Sequence, residues 1–197
     1  MTVTVHVEGG GRQNNKLESQ CRRAFRSFFE RAGVPRGAFQ IIVCGARSEA
    51  LKNFRTAHQN AIANQLPILL IDSEGPVSAA DPWEHVGIPH RPDGATARQL
   101  HLMVQCMEAW FHADPQATSN YFGRQFQTAA LSQRANLEAV SPGRLEGALK
   151  TASRDCAKGA YDKGSNSFAI LATIDPAKVV AASPYAHRLI EFLRQVS

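Results

Sequence analysis

The stretch Pro67-Ile-Leu-Leu-Ile-Asp-Ser-Glu-Gly75 decides the fold class of this chain. It opens with a continuous apolar run, which predicts a strand buried on both faces, as in a parallel sheet covered by helices. Acidic residues follow the run directly, so the strand is expected to end in a polar turn. Because open parallel sheets bind ligands beyond the carboxyl ends of their strands, this turn is the first place to expect a functional site.

Before this strand, the sequence alternates between strand and helix patterns. Thr2–Val7 alternates as a strand does, and Phe39–Cys44 reads as a second strand rich in β-branched residues. Between them, apolar residues recur at the helical period over residues 17–32. A second helical pattern, with Ser48 as its predicted N-cap, leads to the third strand. The order β-α-β-α-β predicts an α/β fold with a mainly parallel sheet and right-handed crossovers.

The pattern changes in the second half of the chain. A Pro- and Gly-rich stretch covers residues 72–94, and the short run His101–Met107 is compatible with either a buried strand or the start of a helix. From Pro115 onward the pattern is helical. Helix starts are predicted at Ser141-Pro142, Asp175-Pro176 and Ser183-Pro184. We therefore predict an α/β core over residues 1–115 and an all-helical extension over residues 116–197, packed together as one compact unit.

Composition limits the class of protein. The chain has 197 residues, of which 44% are hydrophobic and 20% charged, so it is neither disordered nor fibrous. No apolar run approaches the roughly 18–20 residues that a membrane span needs. The N-terminus does not resemble a signal peptide, and the four cysteines are scattered. We expect a cytoplasmic protein with reduced thiols.

Charge is distributed unevenly along the chain, which carries a net charge of +5. Residues 12–55 contain ten Lys or Arg and three acids, whereas residues 72–114 contain seven acids and two bases. A basic stretch suits phosphate binding, and an acidic stretch suits a cation. The alternative is a solvated surface whose charges are merely segregated in sequence.

Three acids occupy the ends of two predicted strands. Glu8 follows the first strand, and Asp72 and Glu74 follow the buried run. If these strands are neighbours, the three carboxylates meet at one edge of the sheet. Mg²⁺ is bound through carboxylates, water and substrate phosphate, and close carboxylates repel one another unless a cation or protons neutralise them. The pattern therefore predicts a metal site or a proton-sharing site, although each acid alone is compatible with an ordinary turn or helix cap.

Other residues suit phosphate chemistry. Gly9 and Gly10 allow a backbone to approach a phosphate, although neither the P-loop nor the dinucleotide motif is complete. Glu108, among apolar residues, is either a further site carboxylate or a buried acid paired with an arginine. Lys163 either neutralises charge on a phosphate or caps a helix C-terminus. The basic residues able to hold a nucleic-acid backbone are Lys16, Arg22, Arg23, Arg26, Arg47 and Arg55.

Several strings together resemble a bacterial domain-of-unknown-function family with a toprim-like, Rossmann-like fold. Toprim domains are the catalytic modules of primases, of type IA and type II topoisomerases and of overcoming-lysogenization-defect nucleases. The resemblance covers nearly the whole chain. The strings that carry it are Val7-Glu-Gly-Gly10, Cys44-Gly-Ala-Arg47, Leu70-Ile-Asp-Ser-Glu-Gly75, His101-Leu-Met-Val-Gln-Cys-Met-Glu-Ala-Trp110 and Tyr161-Asp-Lys-Gly164.

The toprim resemblance implies a role for each acid. Glu8 matches the general acid or base of phosphodiester cleavage, and Asp72 with Glu74 matches an Asp-x-Asp motif that binds Mg²⁺ or Mn²⁺. Asp-Ser-Glu departs from that motif by one methylene group, which moves the second carboxylate. Glu108 resembles an additional metal-binding acid of toprim-like nucleases, and Lys163 resembles their late basic residue, which implies a catalytic role for it.

The resemblance further implies a metal-dependent nuclease or related phosphodiester-transfer enzyme that acts on DNA or RNA. Such proteins belong to bacterial defence or mobile-element systems and are often encoded beside an ATPase, so an ATPase partner is expected. Two alternatives remain open at the level of the sequence. One is a non-catalytic module that docks on an ATPase or effector, and the other is a small-molecule phosphohydrolase that uses the glycine loop.

Overall fold

The computed structural model describes residues 1–11, 14–164 and 166–196. Arg12, part of the basic stretch, lies outside the described residues. The strands are β1 (Thr2–Val7), β2 (Phe39–Val43), β3 (Gln65–Asp72) and β4 (Leu100–Met103). The helices of the first part are α1 (Asn15–Arg31), α2 (Arg47–Gln59), α3 (Pro82–Val86) and α4 (Glu108–Ala113). The later helices are α5 (Pro115–Phe122), α6 (Pro142–Ser153), α7 (Ser167–Leu171), α8 (Pro176–Ala182) and α9 (Pro184–Val196).

Within the described residues, the four strands form one parallel sheet in the order β2-β1-β3-β4. The α/β fold with a mainly parallel sheet is therefore confirmed, and the run at His101 supplies its outer strand, β4. The chain passes from β1 to β2 on one side and then crosses to β3 on the other side. This reversal makes the gap between β1 and β3 the switch point of the sheet, where α/β folds bind ligands.

Helices cover both faces of the sheet. On one face, Val5 and Leu70 belong to a core that includes Phe28 of α1, whose ring stacks on Trp110 with centroids 5.1 Å apart. On the other face, Phe54 of α2 packs in a separate core with residues of β3 and β4. Because β3 is covered on both faces, its residues 66–71 are all apolar, as the continuous run before Asp72 predicts, whereas β1 alternates Val with Thr and His.

The C-terminal helices pack on the same core as α1. Arg31, the last residue of α1, donates to carbonyl oxygens that follow α7, with the Ala172 oxygen at 2.9 Å. Ile170 and Leu189 are fully buried in the core that contains β1. The sheet and the helical extension thus share one hydrophobic core, while the division at residue 115 stays a prediction.

Several helix boundaries follow local sequence rules. The Asp175 side chain accepts from the Ala177 amide at the start of α8, as an N-cap does. For α2 the expectation is wrong: the helix begins at Arg47 with Ala46 as N-cap, and no side chain caps it, so Ser48 lies inside the first turn. No helix in the described part of the chain has the length and apolar character needed to cross a membrane.

Candidate active site

A cavity of about 270 Å³ opens at the carboxyl ends of β1 and β3. Its polar side chains are Glu8, Asp72 and Lys163, and its floor includes the three glycines that follow Glu8. The strands are direct neighbours, with Val7 opposite Leu70, so the residues that follow them share one edge of the sheet. The site therefore lies at the switch point of the fold.

Glu8 is held by the strand next to its own. Its backbone amide donates to the Leu70 carbonyl at 3.0 Å, and its side-chain Oε2 accepts from the Asp72 amide at 3.2 Å. Burial raises the pKa of Glu8, while the Asp72 amide and the Arg47 charge oppose that shift. A carboxyl group with a raised pKa exchanges a proton more readily at neutral pH, which suits a general acid or base.

Asp72, the last residue of β3, is the most perturbed acid of the cavity. Its Oδ1 accepts from the Met107 amide at 2.9 Å, and 15% of its side chain is exposed. Burial, followed by the negative charge of Glu108, raises the pKa of Asp72 to about 7. Lys163 opposes this shift, with its Nζ 3.7 Å from Asp72 Oδ2.

Lys163 lies between two acids. Its Nζ is 3.4 Å from Oε2 of Glu108, a residue that is 1% exposed. Burial on its own would lower the pKa of Lys163, but the carboxylates of Glu108 and Asp72 raise it overall. Lys163 therefore carries a positive charge at the cavity wall, with about half of its side chain exposed. An ammonium group in this position can neutralise a phosphate oxygen.

Glu108 fixes the wall behind Lys163. It is the first residue of α4, and its Oε1 accepts from the Tyr161 hydroxyl at 2.8 Å. The Tyr161 hydroxyl also lies 2.7 Å from the hydroxyl of Ser167, which lies within hydrogen-bond distance of the Lys163 carbonyl, so the two hydroxyl protons are shared among these contacts. This chain of hydrogen bonds ties the backbone of Lys163 to α4. Glu108 thus holds Lys163 in position and does not itself line the cavity.

The glycine floor is constrained by close backbone contacts. Gly9 and Gly45 exchange two backbone hydrogen bonds of 2.8 Å, which join the loops after β1 and β2. Gly10 has φ +86°, and a Cβ added there would lie 2.4 Å from Cγ1 of Val43. Only glycine fits at this position without displacing Val43, so the close approach of the loop to β2 depends on the missing side chain.

The remaining predicted site residues lie outside the cavity. Ser73 is buried with its hydroxyl bonded to the Gly75 carbonyl, and the turn directs Glu74 outward. The Glu74 side chain is 67% exposed and pairs with Arg47 at 2.9 Å, so these two residues form the rim. Lys16 lines an adjoining groove, while Arg22 donates to the Ile41 carbonyl at 3.3 Å on the edge strand β2. Glu74 and Glu108 therefore do not meet Asp72 inside the cavity.

An apolar wall of the cavity was not anticipated. It consists of Leu17, Met103, Met107 and Phe168. Each residue comes from a different element or loop, so no local periodicity marks them as one surface. Tyr161 and Ser167 were also missed as positioning residues, although Tyr161 belongs to a string that carries the family resemblance.

The donor set fits a hard cation only in part. No group of three or more His, Cys, Asp and Glu side chains with the geometry of a metal site exists among the residues that the structure describes. The Oε2 atom of Glu108 has no hydrogen bond within that part of the chain, and its neighbouring cation is Lys163. Mg²⁺ is often bound by one or two carboxylates together with water and substrate phosphate, and Asp72 meets that requirement.

Comparison with known families places this chain. The family model described as "Domain of unknown function (DUF4276)" matches residues 7–194, nearly the whole chain. The chain belongs to the DUF4276 family. The matched range contains every residue of the cavity, from Glu8 to Phe168. No curated protein and no solved structure matches this DUF4276 chain significantly. The resemblance to catalytic toprim domains stays a prediction.

Proposed function

We propose that this DUF4276 protein is a Mg²⁺-dependent enzyme that cleaves or transfers phosphodiester bonds in nucleic acid. The observation that carries the proposal is the position of Lys163, whose ammonium group lies beside Asp72 and Glu108 at a glycine-floored cavity. A fixed positive charge, an acid with a raised pKa and an open backbone floor are the parts that phosphoryl transfer requires. Their location at the switch point of a parallel sheet supports the same conclusion.

The roles of the residues follow from their environment. Glu8 accepts a proton from the attacking water while the water oxygen forms a bond to phosphorus. The bond between phosphorus and the leaving oxygen breaks, and the leaving oxygen takes a proton from solvent. Lys163 compensates the negative charge that develops on the phosphoryl oxygens. Asp72 would hold Mg²⁺ together with the substrate phosphate, and the bound ion would supply Lewis-acid polarisation of a phosphoryl oxygen. Glu108 and Tyr161 keep Lys163 in place.

The surroundings of the cavity support a polymeric substrate. The cavity continues into a groove that shares Leu17 and Gly164 with it and includes Lys16. Beyond that groove, α1 exposes Arg23 and Arg26, about one and two helical turns further along. Basic residues spaced along one helix beside a cleft hold a phosphate backbone through electrostatic attraction.

The test is a cleavage assay with single- and double-stranded DNA and RNA in Mg²⁺, in Mn²⁺ and in EDTA. We expect metal-dependent cleavage that is reduced at least about a hundredfold in Glu8→Gln and in Asp72→Asn. Glu84→Gln, which changes an exposed acid of α3 outside the cavity, is the matched control and should retain full activity. Full activity in either site variant would mean that the assigned residues do not perform the chemistry.

A second candidate function is supported by the ion pairs of the site. Lys163 pairs with both Asp72 and Glu108, and Arg47 pairs with Glu74, so each of these three acids already has a cationic partner without a metal. Such a site suits a non-catalytic module that docks on an ATPase partner. This candidate predicts a stable complex with the purified ATPase, no cleavage of any of the four substrates and no change of Tm with Mg²⁺.

A further inference from the structure

A second cavity, of about 360 Å³, lies between α9 and the start of β4. It is lined by Arg98, His101, Arg188, Glu191, Phe192 and Gln195. These residues do not line the cavity at Glu8. The first cavity lies past the carboxyl end of β4, whereas Arg98 precedes that strand, so the two cavities lie at different ends of β4.

Two arginines of this cavity are held in position. The Arg98 guanidinium lies over the Phe192 ring, 5.3 Å from its centroid. Arg188 donates to the Ala97 carbonyl at 2.6 Å. The one acid of the lining, Glu191, pairs with Arg194 at 2.8 Å. The lining therefore carries an excess of positive charge, and the physical complement of two guanidinium groups in one cavity is an anion.

His101 adds a requirement that a simple anion does not meet. Its side chain is buried, and its Nε2 lies 3.1 Å from the Arg98 carbonyl, which can only accept, so the proton resides on Nε2. The Nδ1 atom is then an acceptor, and it has no hydrogen-bond partner in the part of the chain described. Burial, followed by the charge of Arg188, lowers the pKa of His101 to about 3. A ligand that forms a hydrogen bond with Nδ1 must therefore be the donor and carry the proton itself.

We propose that this cavity binds a phosphate monoester. A monoester carries both anionic oxygens, for Arg98 and Arg188, and a proton that it can share with Nδ1 of His101. A phosphodiester or a sulfate has no such proton at neutral pH. The monoester belongs either to the terminal phosphate of a nucleic acid or to a small phosphorylated molecule, since the same chemistry serves both.

The test follows the imidazole signals of His101 by NMR in the full-length protein. Inorganic phosphate should shift the Nδ1 signal in a saturable way, and sulfate should bind about tenfold more weakly. Arg98→Gln and Arg188→Gln should each weaken phosphate binding about tenfold, while Arg144→Gln, an exposed arginine of α6, should have no effect. Glu191→Gln should strengthen binding, because it removes the one negative charge of the lining.

Two oligonucleotide probes distinguish the sources of the phosphate. If a trinucleotide with a 5′-phosphate shifts the His101 signal and the same trinucleotide without the phosphate does not, the natural ligand is the end of a nucleic acid. A response to inorganic phosphate and to neither trinucleotide identifies a small phosphorylated ligand. Equal responses to both trinucleotides, no response to phosphate, or weaker binding in Glu191→Gln would each overturn the proposal. Phosphate binding by Glu191→Gln still tests the proposal if an arginine variant fails to fold.

Discussion

Replacing Asp72 with Asn should stabilise the protein at neutral and alkaline pH. The folded-state pKa of Asp72 is raised from 3.8 to about 7, so ionising this side chain disfavours the folded state. The penalty is absent below pH 4, grows between pH 4 and pH 7, and is complete above pH 7. Asn keeps the oxygen that accepts from the Met107 amide and removes the charge, so the variant escapes the penalty.

The size of the effect follows from the shift. A rise from 3.8 to about 7 corresponds to at most about 4 kcal/mol of unfolding free energy. The 3.7 Å ion pair with the half-exposed Lys163 is already contained in this shift, because the Lys163 charge opposes the rise. The exposed part of the Asp72 side chain keeps the penalty below this upper limit, because solvent screens its charge. We expect a net gain of about 2 to 3 kcal/mol at pH 8, or a rise in Tm of about 5 to 10 °C for a chain of this length.

The measurement is urea unfolding at pH 4, 6 and 8, followed through the fluorescence of the buried Trp83 and Trp110. Asp114→Asn is a control for which we expect a change of unfolding free energy in the opposite direction. Burial would raise the pKa of Asp114, but hydrogen bonds from Lys178 and from the Asp175 amide lower it overall. That variant should be less stable at pH 4, 6 and 8 alike, because the stability contributed by a carboxyl group with a lowered pKa is lost only below about pH 3.8. An Asp72→Asn variant that is equally stable or less stable at pH 8, beside a normal control, would refute the reasoning.

Three further predictions concern the same site. Glu108→Ala should lower the unfolding free energy by about 2 kcal/mol in urea unfolding, because it leaves the buried Tyr161 hydroxyl without its acceptor, whereas Glu108→Gln, which keeps an acceptor oxygen, should cost less. Gly10→Ala should lower the unfolding free energy by at least about 2 kcal/mol in the same measurement, because its Cβ would contact Val43. Gly147→Ala, where the added Cβ meets open space on α6, should raise the unfolding free energy by about 0.5–1 kcal/mol. Lys163→Ala should strengthen Mg²⁺ binding roughly tenfold in calorimetric titration, since a competing cation is lost, and should reduce cleavage; weaker Mg²⁺ binding would contradict this.

The sheet could be predicted because the sequence patterns that specify its strands are local. The continuous run before Asp72 predicts a doubly covered strand, and alternation with helical patterns predicts parallel neighbours. These two inferences place Glu8 beside Asp72 on the condition that β1 and β3 are neighbours, and the structure shows that they are, with a 3.2 Å hydrogen bond between Glu8 and the Asp72 amide. The run at His101 was ambiguous because four residues fit a strand or a helix turn equally well, and only pairing with β3 decides between them.

The rest of the site could not be predicted because it depends on turns and on distant packing. Glu74 is two residues from Asp72, but the turn at Ser73 directs it to the rim. Glu108 and Lys163 meet through Tyr161, and that contact depends on how α4 packs against the C-terminal region. The spacing of Glu108 and Lys163 in the sequence does not indicate that they are in contact, so Lys163 is compatible both with a phosphate ligand and with a helix cap.

The ion pairs of Lys163 also determine when the site comes into existence. Glu8 and Asp72 lie in the first half of the chain, which leaves the ribosome long before Lys163 is translated. Until then, the nascent sheet edge holds acids without their cation, and the wall formed by Phe168 is missing. The site is therefore assembled only after Lys163 and Phe168 have been synthesised. A ribosome that stalls before residue 163 releases a fragment that has neither the ion pairs of Lys163 nor the cavity wall formed by Phe168.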